Sequence, residues 1–161
     1  EPADQAVEGT QVIVVAASGG FDPLHDGHCH YLMSARALGD YLVVIVNGDD
    51  FLVRKKGYAF MPLDARLRIV RALKFVNEAV ICIDSDDTVR QTLRAVRPHV
   101  FANGGDRASH DSPERPVCEE LGIRMVDGLG SKVRSSSDLV NSIMEKQRGK
   151  TQQPSLQANA R

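Results

Sequence analysis

Two histidines three residues apart follow a pair of glycines in the segment Gly19-Gly20-Phe21-Asp22-Pro23-Leu24-His25-Asp26-Gly27-His28. The apolar run Val12–Ala17 precedes the pair, as expected for a strand that ends there. Glycine has no Cβ, so the pair lets the backbone approach a ligand closely. If a helix begins near Gly27, its free N–H groups and both imidazoles face one point, where an anion is stabilised. The pattern therefore indicates chemistry on a phosphate rather than phosphate binding alone.

The composition limits the class of protein. A chain of 161 residues, 42% hydrophobic and 25% charged, is typical of one globular domain. The formal net charge of −1 gives no global field for nucleic acid or a membrane surface, and no segment approaches the roughly 20 apolar residues of a membrane span. We expect neither partner. Cys29, Cys82 and Cys118 lack ligand spacing, which disfavours zinc or disulfides and predicts a cytoplasmic protein.

Short apolar runs alternate with amphipathic stretches along the chain. The expected strands are Val12–Ala16, Tyr41–Val46, Ala79–Ile83, His99–Ala102 and Arg124–Val126. The expected helices are His28–Leu38, a segment from Pro62, Thr88–Val96, Pro113–Leu121 and a segment from about Ser135–Ser137. This alternation predicts an α/β fold, a Rossmann-like doubly wound parallel sheet of about five strands in a single domain. Ligands of such sheets bind beyond the carboxyl ends of the strands, where the glycine–histidine segment lies.

Polar residues without a periodic pattern occupy both ends of the chain. We expect residues 1–10 to be a disordered lead-in and residues 11–146 to form the domain. Residues 147–161 are rich in Gln, Gly, Pro, Ser and Asn, which predicts a disordered tail.

The spacing of the two histidines leaves other interpretations open. Histidines three residues apart on a helix can hold zinc, but the further ligand types nearby are limited to Asp22 and Asp26. The pair could also be two structural histidines with satisfied hydrogen bonds. Neither alternative explains the glycines, and we predict no metal held by the side chains.

The segment resembles the G-x-F-D-x-x-H-x-G-H signature of the cytidylyltransferase-like nucleotidyltransferases, and the resemblance runs from about Val12 to about Met144. This family includes the glycerol-3-phosphate and choline-phosphate cytidylyltransferases and the heptose-phosphate adenylyltransferase domain. The resemblance implies an enzyme that transfers CMP or AMP from CTP or ATP, with Mg²⁺, to a phosphorylated small polyol or sugar. Pyrophosphate would leave by in-line attack. The resemblance also implies a homodimer.

The resemblance assigns roles to residues along the whole chain. The implied catalytic residues are His25, His28 and Lys56. The residues implied to contact the acceptor are Asp22, Lys55, Lys56 and Arg66. The residues implied to bind the nucleotide are Gly19, Gly20, Phe21, His25, His28, Asn103, Gly105, Asp106, Arg134, Ser135, Ser136 and Ser137.

Simpler interpretations of these motifs stay open at this point. The basic run Arg54–Lys56 could be a solvated loop, and Arg66 could form a surface ion pair. Asn103–Asp106 could be a plain turn. Ser135 and Asp138 could form a capping box at the start of a helix.

The sequence leaves the base of the nucleotide and the identity of the acceptor open. Residues 130–134 read Gly-Ser-Lys-Val-Arg where cytidine-specific members have Arg-Thr-Glu-Gly-Ile, which leaves CTP and ATP both open. Residues 84–88 contain no aromatic residue of the kind that holds choline and look most like the heptose-phosphate branch. Two alternatives remain: a catalytically silent nucleotide sensor, and an adenylyltransferase for a cofactor precursor such as a flavin phosphate.

Overall fold

Strands and helices alternate through residues 9–104, 111–130 and 136–151, which a computed structural model describes. The strands are β1 Val14–Gly19, β2 Tyr41–Val46, β3 Glu78–Ile81, β4 Val100–Gly104 and β5 Arg124–Leu129. The helices are α1 Asp26–Arg36, α2 Asp49–Lys56, α3 Leu63–Arg71, α4 Arg90–Val96, α5 Arg115–Leu121 and α6 Ser136–Thr151. The predicted alternation is confirmed, except that two helices, α2 and α3, lie between β2 and β3.

The five strands form one parallel sheet in the order β3-β2-β1-β4-β5. The chain runs outward from β1 to β3, returns to the other side of β1 and continues to β5. The order therefore reverses between β1 and β4. A crevice opens at such a switch point, beyond the carboxyl ends of the two strands, and is the ordinary ligand site of doubly wound sheets. The predicted fold is confirmed.

Both faces of the sheet are covered by helices. Val15 and Ala17 of β1 point into a cluster with residues of α1 and α3. Ala16, between them, points into a second cluster with residues of α4 and α5. Because strand side chains alternate between the faces, a strand buried on both sides reads as a continuous apolar run. This is why β1 and β2 were readable from the sequence.

The first strand ends later than expected. β1 continues to Gly19, whereas the apolar pattern ends at Ala16 or Ala17. Its last residues stay in the parallel ladder, with Gly19 opposite Val46 of β2. The small residues at this end carry no apolar signal, although their backbone pairing is intact. The ladder brings the glycine pair to the edge of the crevice.

Helix α2 was not predicted, and the solvated-loop interpretation of the basic run is wrong. With Leu52 as its one buried residue, α2 lacks the apolar stripe that identifies a helix in a sequence. Acidic residues in its first turn and basic residues in its last turn complement the helix dipole instead. Gly57, with φ of 88°, ends the helix in the left-handed region.

Helix α6 continues to Thr151, past residue 146, where the tail was expected to begin. Residues 145–148 are Glu, Lys, Gln and Arg, which favour a helix despite the polar composition. Within the described residues no helix, α6 included, has the length and apolar character needed to cross a membrane. Residues 1–8 and 152–161 lie outside the described residues.

The approach of Gly39 to the backbone before β1 can be tested. A Cβ at Gly39 would lie 2.7 Å from the Ile13 carbonyl oxygen, which already accepts from the amides of Asp40 and Tyr41. Because that oxygen cannot move freely, we expect Gly39→Ala to lower the free energy of unfolding by about 1–3 kcal/mol in urea denaturation. Gly48→Ala, with open space around its Cβ, is the control. Equal losses for both variants would contradict this packing.

Candidate active site

A cavity of about 580 Å³ opens at the switch point of the sheet. The predicted site residues that line it are Gly19, Gly20, Phe21, Asp22, His25, His28, Lys55, Lys56, Asn103, Ser136 and Ser137. Arg66 is not among the lining residues. Gly105, Asp106, Arg134 and Ser135 lie outside the described residues, so their predicted roles stay predictions.

The glycine pair makes room for two neighbouring side chains. A Cβ on Gly19 would lie 3.0 Å from the Phe21 ring, and one on Gly20 would lie 2.7 Å from a methyl group of Leu52. Phe21 takes a left-handed backbone conformation, with φ of 52°, and its buried ring meets His28 edge-on at 5.1 Å. The glycines thus allow Phe21 to support the imidazole, a role that the sequence did not reveal.

The two histidines form a reciprocal cap at the start of α1. His25 is the N-cap residue, and its Nδ1 accepts from the Gly27 amide at 3.1 Å. The Nδ1 of His28 accepts from the His25 amide at 3.2 Å. A ring nitrogen that accepts carries no proton, so each neutral ring has its proton on Nε2. The rings stack at 3.8 Å, and both line the cavity as hydrogen-bond donors.

Burial keeps His28 uncharged near neutral pH. Burial, and to a lesser extent repulsion from His25 when that ring is also protonated, together lower the pKa of His28 from 6.5 to about 4. At pH 7 His28 is therefore a neutral donor, not an imidazolium. A neutral ring can stabilise charge that develops on a phosphate by donating a hydrogen bond.

Lys56 is held at the cavity by Asp22. Its ammonium lies 2.9 Å from a carboxylate oxygen of Asp22 and 2.6 Å from the carbonyl oxygen of the same residue. The amides of Phe60 and Met61 donate to the two carboxylate oxygens at 2.6 and 2.7 Å. Burial raises the pKa of Asp22, but Lys56 and the two amides outweigh burial and bring it below its ordinary value. The ionised carboxylate positions Lys56, and the expected acceptor contact of Asp22 stays a prediction.

Arg66 lies beneath the cavity with an exposed fraction of 0%. Its guanidinium donates to the carbonyl oxygens of Gly20, Asn47 and Met61 at 2.9, 2.5 and 2.9 Å. It also pairs with Asp49 at 2.6 Å. Because these groups occupy its donors, neither a direct acceptor contact nor a surface ion pair describes Arg66. It ties together the ends of β1 and β2 and the segment before α3.

The far side of the cavity is formed by β4 and α6. The Asn103 side chain donates to Asp127 at 3.1 Å, and the Ser136 hydroxyl donates to the Pro23 carbonyl oxygen at 3.1 Å. The second contact connects the start of α6 to the segment before α1. The structure thus brings these predicted nucleotide-binding residues to the cavity that holds the histidines.

Several lining residues were not predicted. They include Tyr31, Asn47, Phe51, Asp87 and Glu114. Asn47 directly follows β2, so its place at the carboxyl end of a strand was a usable signal. Tyr31 looked like an apolar residue of α1, yet its hydroxyl donates to the Ala102 carbonyl oxygen at 2.5 Å. Glu114 is one carboxylate in a polar stretch, and its spacing from other residues gave no indication of a binding role.

Known proteins resemble this chain in sequence and in fold. The sequence model of the family described as Cytidylyltransferase-like matches residues 16–146. The chain is 48% identical over 97 residues to the bifunctional protein HldE of Methylococcus capsulatus, covering 59% of this chain. It is 33% identical over 135 residues to FAD synthase of Picrophilus torridus, covering 81% of this chain and 96% of that protein. The solved lipopolysaccharide core biosynthesis protein from Thermoplasma volcanium superposes with a TM-score of 0.65 at 28% identity, covering 75% and 99% of the two chains.

The relatives differ in how much of their length is matched. The chain spans 20% of the HldE protein of Methylococcus capsulatus and 24% of that of Streptomyces coelicolor. It spans 90% of FAD synthase of Methanoculleus marisnigri, at 36% identity over 137 residues. The likeness to HldE therefore concerns one part of a longer protein.

The low pKa of His28 predicts a dependence of stability on pH. Below about pH 6.5 the unfolded chain protonates this residue while the native state does not, so stability falls until about pH 4. Between about pH 7 and 4.5 we expect the wild type to lose about 2–3 kcal/mol more unfolding free energy than His28→Gln. Urea unfolding at both pH values measures this difference. Parallel losses in the two proteins would contradict the buried neutral imidazole.

Proposed function

Because this chain belongs to the cytidylyltransferase-like family of nucleotidyltransferases, we propose that it transfers an adenylyl group from ATP to a phosphorylated sugar or polyol. The observation that carries the proposal is the histidine pair, whose Nδ1 atoms are occupied by backbone amides and whose Nε2–H groups are donors. The pair stands at the start of α1 and lines the cavity at the switch point of the sheet. A helix N-terminus with two such donors suits a phosphate that gains charge.

The reaction is an in-line displacement at the α-phosphorus of ATP. An oxygen of the acceptor phosphate forms the new bond, the bond to the bridging oxygen breaks, and pyrophosphate leaves with the electron pair. Such a transfer needs no enzyme nucleophile, because positioning and charge stabilisation supply the rate enhancement. His25 and His28 donate to phosphate oxygens as negative charge moves toward the leaving group.

The two lysines at the end of α2 bring the anions together. Lys56 is held by Asp22 with 16% of its side chain exposed, and Lys55 lines the cavity beside it. An acceptor phosphate and a triphosphate repel each other, so fixed positive charge between them lowers the barrier to their approach. Lys56 is preorganised for this task, since its ammonium is already oriented by two oxygens of one residue.

We propose that Mg²⁺ enters with the nucleotide. Among residues 9–104, 111–130 and 136–151, no group of three or more His, Cys, Asp or Glu residues could hold a metal ion. That fits an ion whose ligands are mainly phosphate oxygens and water. When bound in this way, Mg²⁺ neutralises charge on the triphosphate.

ATP is the favoured donor, and a sugar or polyol phosphate is the first candidate acceptor. Relatives named FAD synthase make a product with an adenine nucleotide, and the heptose-phosphate branch, which the chain resembles, also uses ATP. The 48% identity with HldE supports a sugar phosphate. A flavin phosphate is the second candidate, because the FAD synthases match over 90–96% of their own length. A homodimer and a cytoplasmic location stay predictions of the sequence.

The histidine pair can be tested by removing one ring. We expect His28→Ala to lose at least about 100-fold in turnover, the usual cost of removing one preorganised donor. His30→Ala, an exposed residue of the same helix, is the matched control and should keep wild-type turnover. Pyrophosphate release measures the rate, and circular dichroism checks that both variants are folded. Near wild-type turnover of folded His28→Ala would overturn the assignment.

The donor and the acceptor can be identified in one assay. The protein is incubated with Mg²⁺ and ATP or CTP, together with glucose 1-phosphate, glycerol 3-phosphate or flavin mononucleotide. We expect pyrophosphate release and an adenylylated sugar or polyol by mass spectrometry, with ATP used faster than CTP. Formation of FAD alone would favour the second candidate. Nucleotide binding without transfer to any phosphate ester would favour the silent sensor.

A further inference from the structure

The cavity wall carries a carboxylate with an unusual arrangement. Asp87 lines the cavity and has a left-handed backbone, with φ of 65°. Its side chain is 56% exposed. Arg54 of α2 binds only one carboxylate oxygen of Asp87, Oδ1, which lies 2.8 Å from its Nε and 2.7 Å from a terminal nitrogen. Both contacts thus use one carboxylate oxygen and leave Oδ2 available as an acceptor.

Neighbouring contacts fix the segment that carries Asp87. The Val89 amide, two residues on, donates to the buried Glu114 at 3.2 Å, and Glu114 accepts from the Ser112 hydroxyl at 2.6 Å. The Thr88 amide and hydroxyl both donate to Asp86. A non-glycine residue in the left-handed region persists when its surroundings hold it there, and such residues cluster at binding sites. Asp87 is therefore held at a set position on the wall.

Asp87 is tied through Arg54 to the end of α2 that carries the two lysines. It follows β3, the edge strand beside β2, and its partner Arg54 directly precedes Lys55 and Lys56 on α2. The histidines follow β1, and Ser136 and Ser137 follow β5. In the proposed reaction the histidines bind the triphosphate, and the lysines hold the acceptor phosphate. A phosphate ester with its phosphate on the lysines extends its other end toward Asp87.

Resting on the proposed function, we infer that Asp87 is a specificity-determining residue whose Oδ2 accepts a hydrogen bond from a hydroxyl group of the acceptor. The acceptor class is then a phosphate ester that carries hydroxyl groups close to its phosphate. The sugar phosphates and the ribityl phosphate of a flavin both have this chemistry. Each hydroxyl donates one hydrogen bond and carries no charge.

The ion pair explains why a neutral donor fits better than a cation. Arg54 offsets the charge of Asp87, so this part of the wall offers a hydrogen-bond acceptor without net negative charge. A quaternary ammonium group prefers the face of an aromatic ring, and residues 84–88 contain no aromatic residue. Hydroxyl groups therefore match the wall better than a choline-like head group.

The test compares two esters that differ in their hydroxyl groups. Glycerol 3-phosphate and propyl phosphate are titrated by calorimetry into protein saturated with Mg²⁺ and α,β-methylene ATP. We expect the wild type to prefer glycerol 3-phosphate by about tenfold or more, as for a hydrogen bond to a charged group. Asp87→Gly, which tolerates the left-handed backbone and removes the carboxylate, should bind both esters almost equally. Asp87→Asn, which keeps one acceptor oxygen, should restore part of the preference.

Arg54→Gln is the matched control, because it breaks the ion pair and leaves the carboxylate in place. We expect this variant to keep the hydroxyl preference. Loss of preference in both Arg54→Gln and Asp87→Gly would show that the pair acts through the shape of the wall, and would overturn the inference. An unchanged preference in Asp87→Gly, or a wild type that shows no preference or binds neither ester, would also overturn it. Failure of the ATP analogue to bind counts against the proposed function instead, and the ester preference without nucleotide still decides the role of Asp87.

Discussion

The site depends on one pair of hydrogen bonds at the start of α1. The Nδ1 atoms of His25 and His28 accept from the amides of Gly27 and His25, two donors that a helix start leaves without partners. The same bonds place the proton of each ring on Nε2. Helix capping and the chemical form of the imidazoles are thus one interaction, so the rings cannot be reoriented without exposing the helix end.

Near this pair, two charged side chains bind other groups of the protein. Asp22 and Arg66 looked like ligand contacts in the sequence, but their polar atoms bind Lys56, backbone amides and backbone carbonyls. A buried charge is tolerated when hydrogen bonds satisfy it. The cavity is also lined by the two imidazoles, the lysines of α2 and the carboxylate of Asp87.

Sequence patterns predicted the parts of the molecule that obey local rules. The buried strands read as apolar runs, and α1 begins at Asp26, beside the expected Gly27. The patterns failed where tertiary contacts decide. Helix α2 has one buried residue, Leu52, and no apolar stripe, so the sequence pattern did not predict it. The contact between Leu52 and Gly20 could not be predicted either. Asp22 lines the cavity and Arg66 lies beneath it, but which partners they bind depends on segments distant in sequence. Asp87 and Glu114 reach the cavity only through the fold.

The partners of Arg66 couple the segments that surround the site. One guanidinium binds the loop after β1, the end of β2, the start of α2 and the segment before α3. None of these segments can detach without leaving buried charge or carbonyl groups unpaired, so they open together rather than one by one. Amide exchange across these four segments should therefore be cooperative.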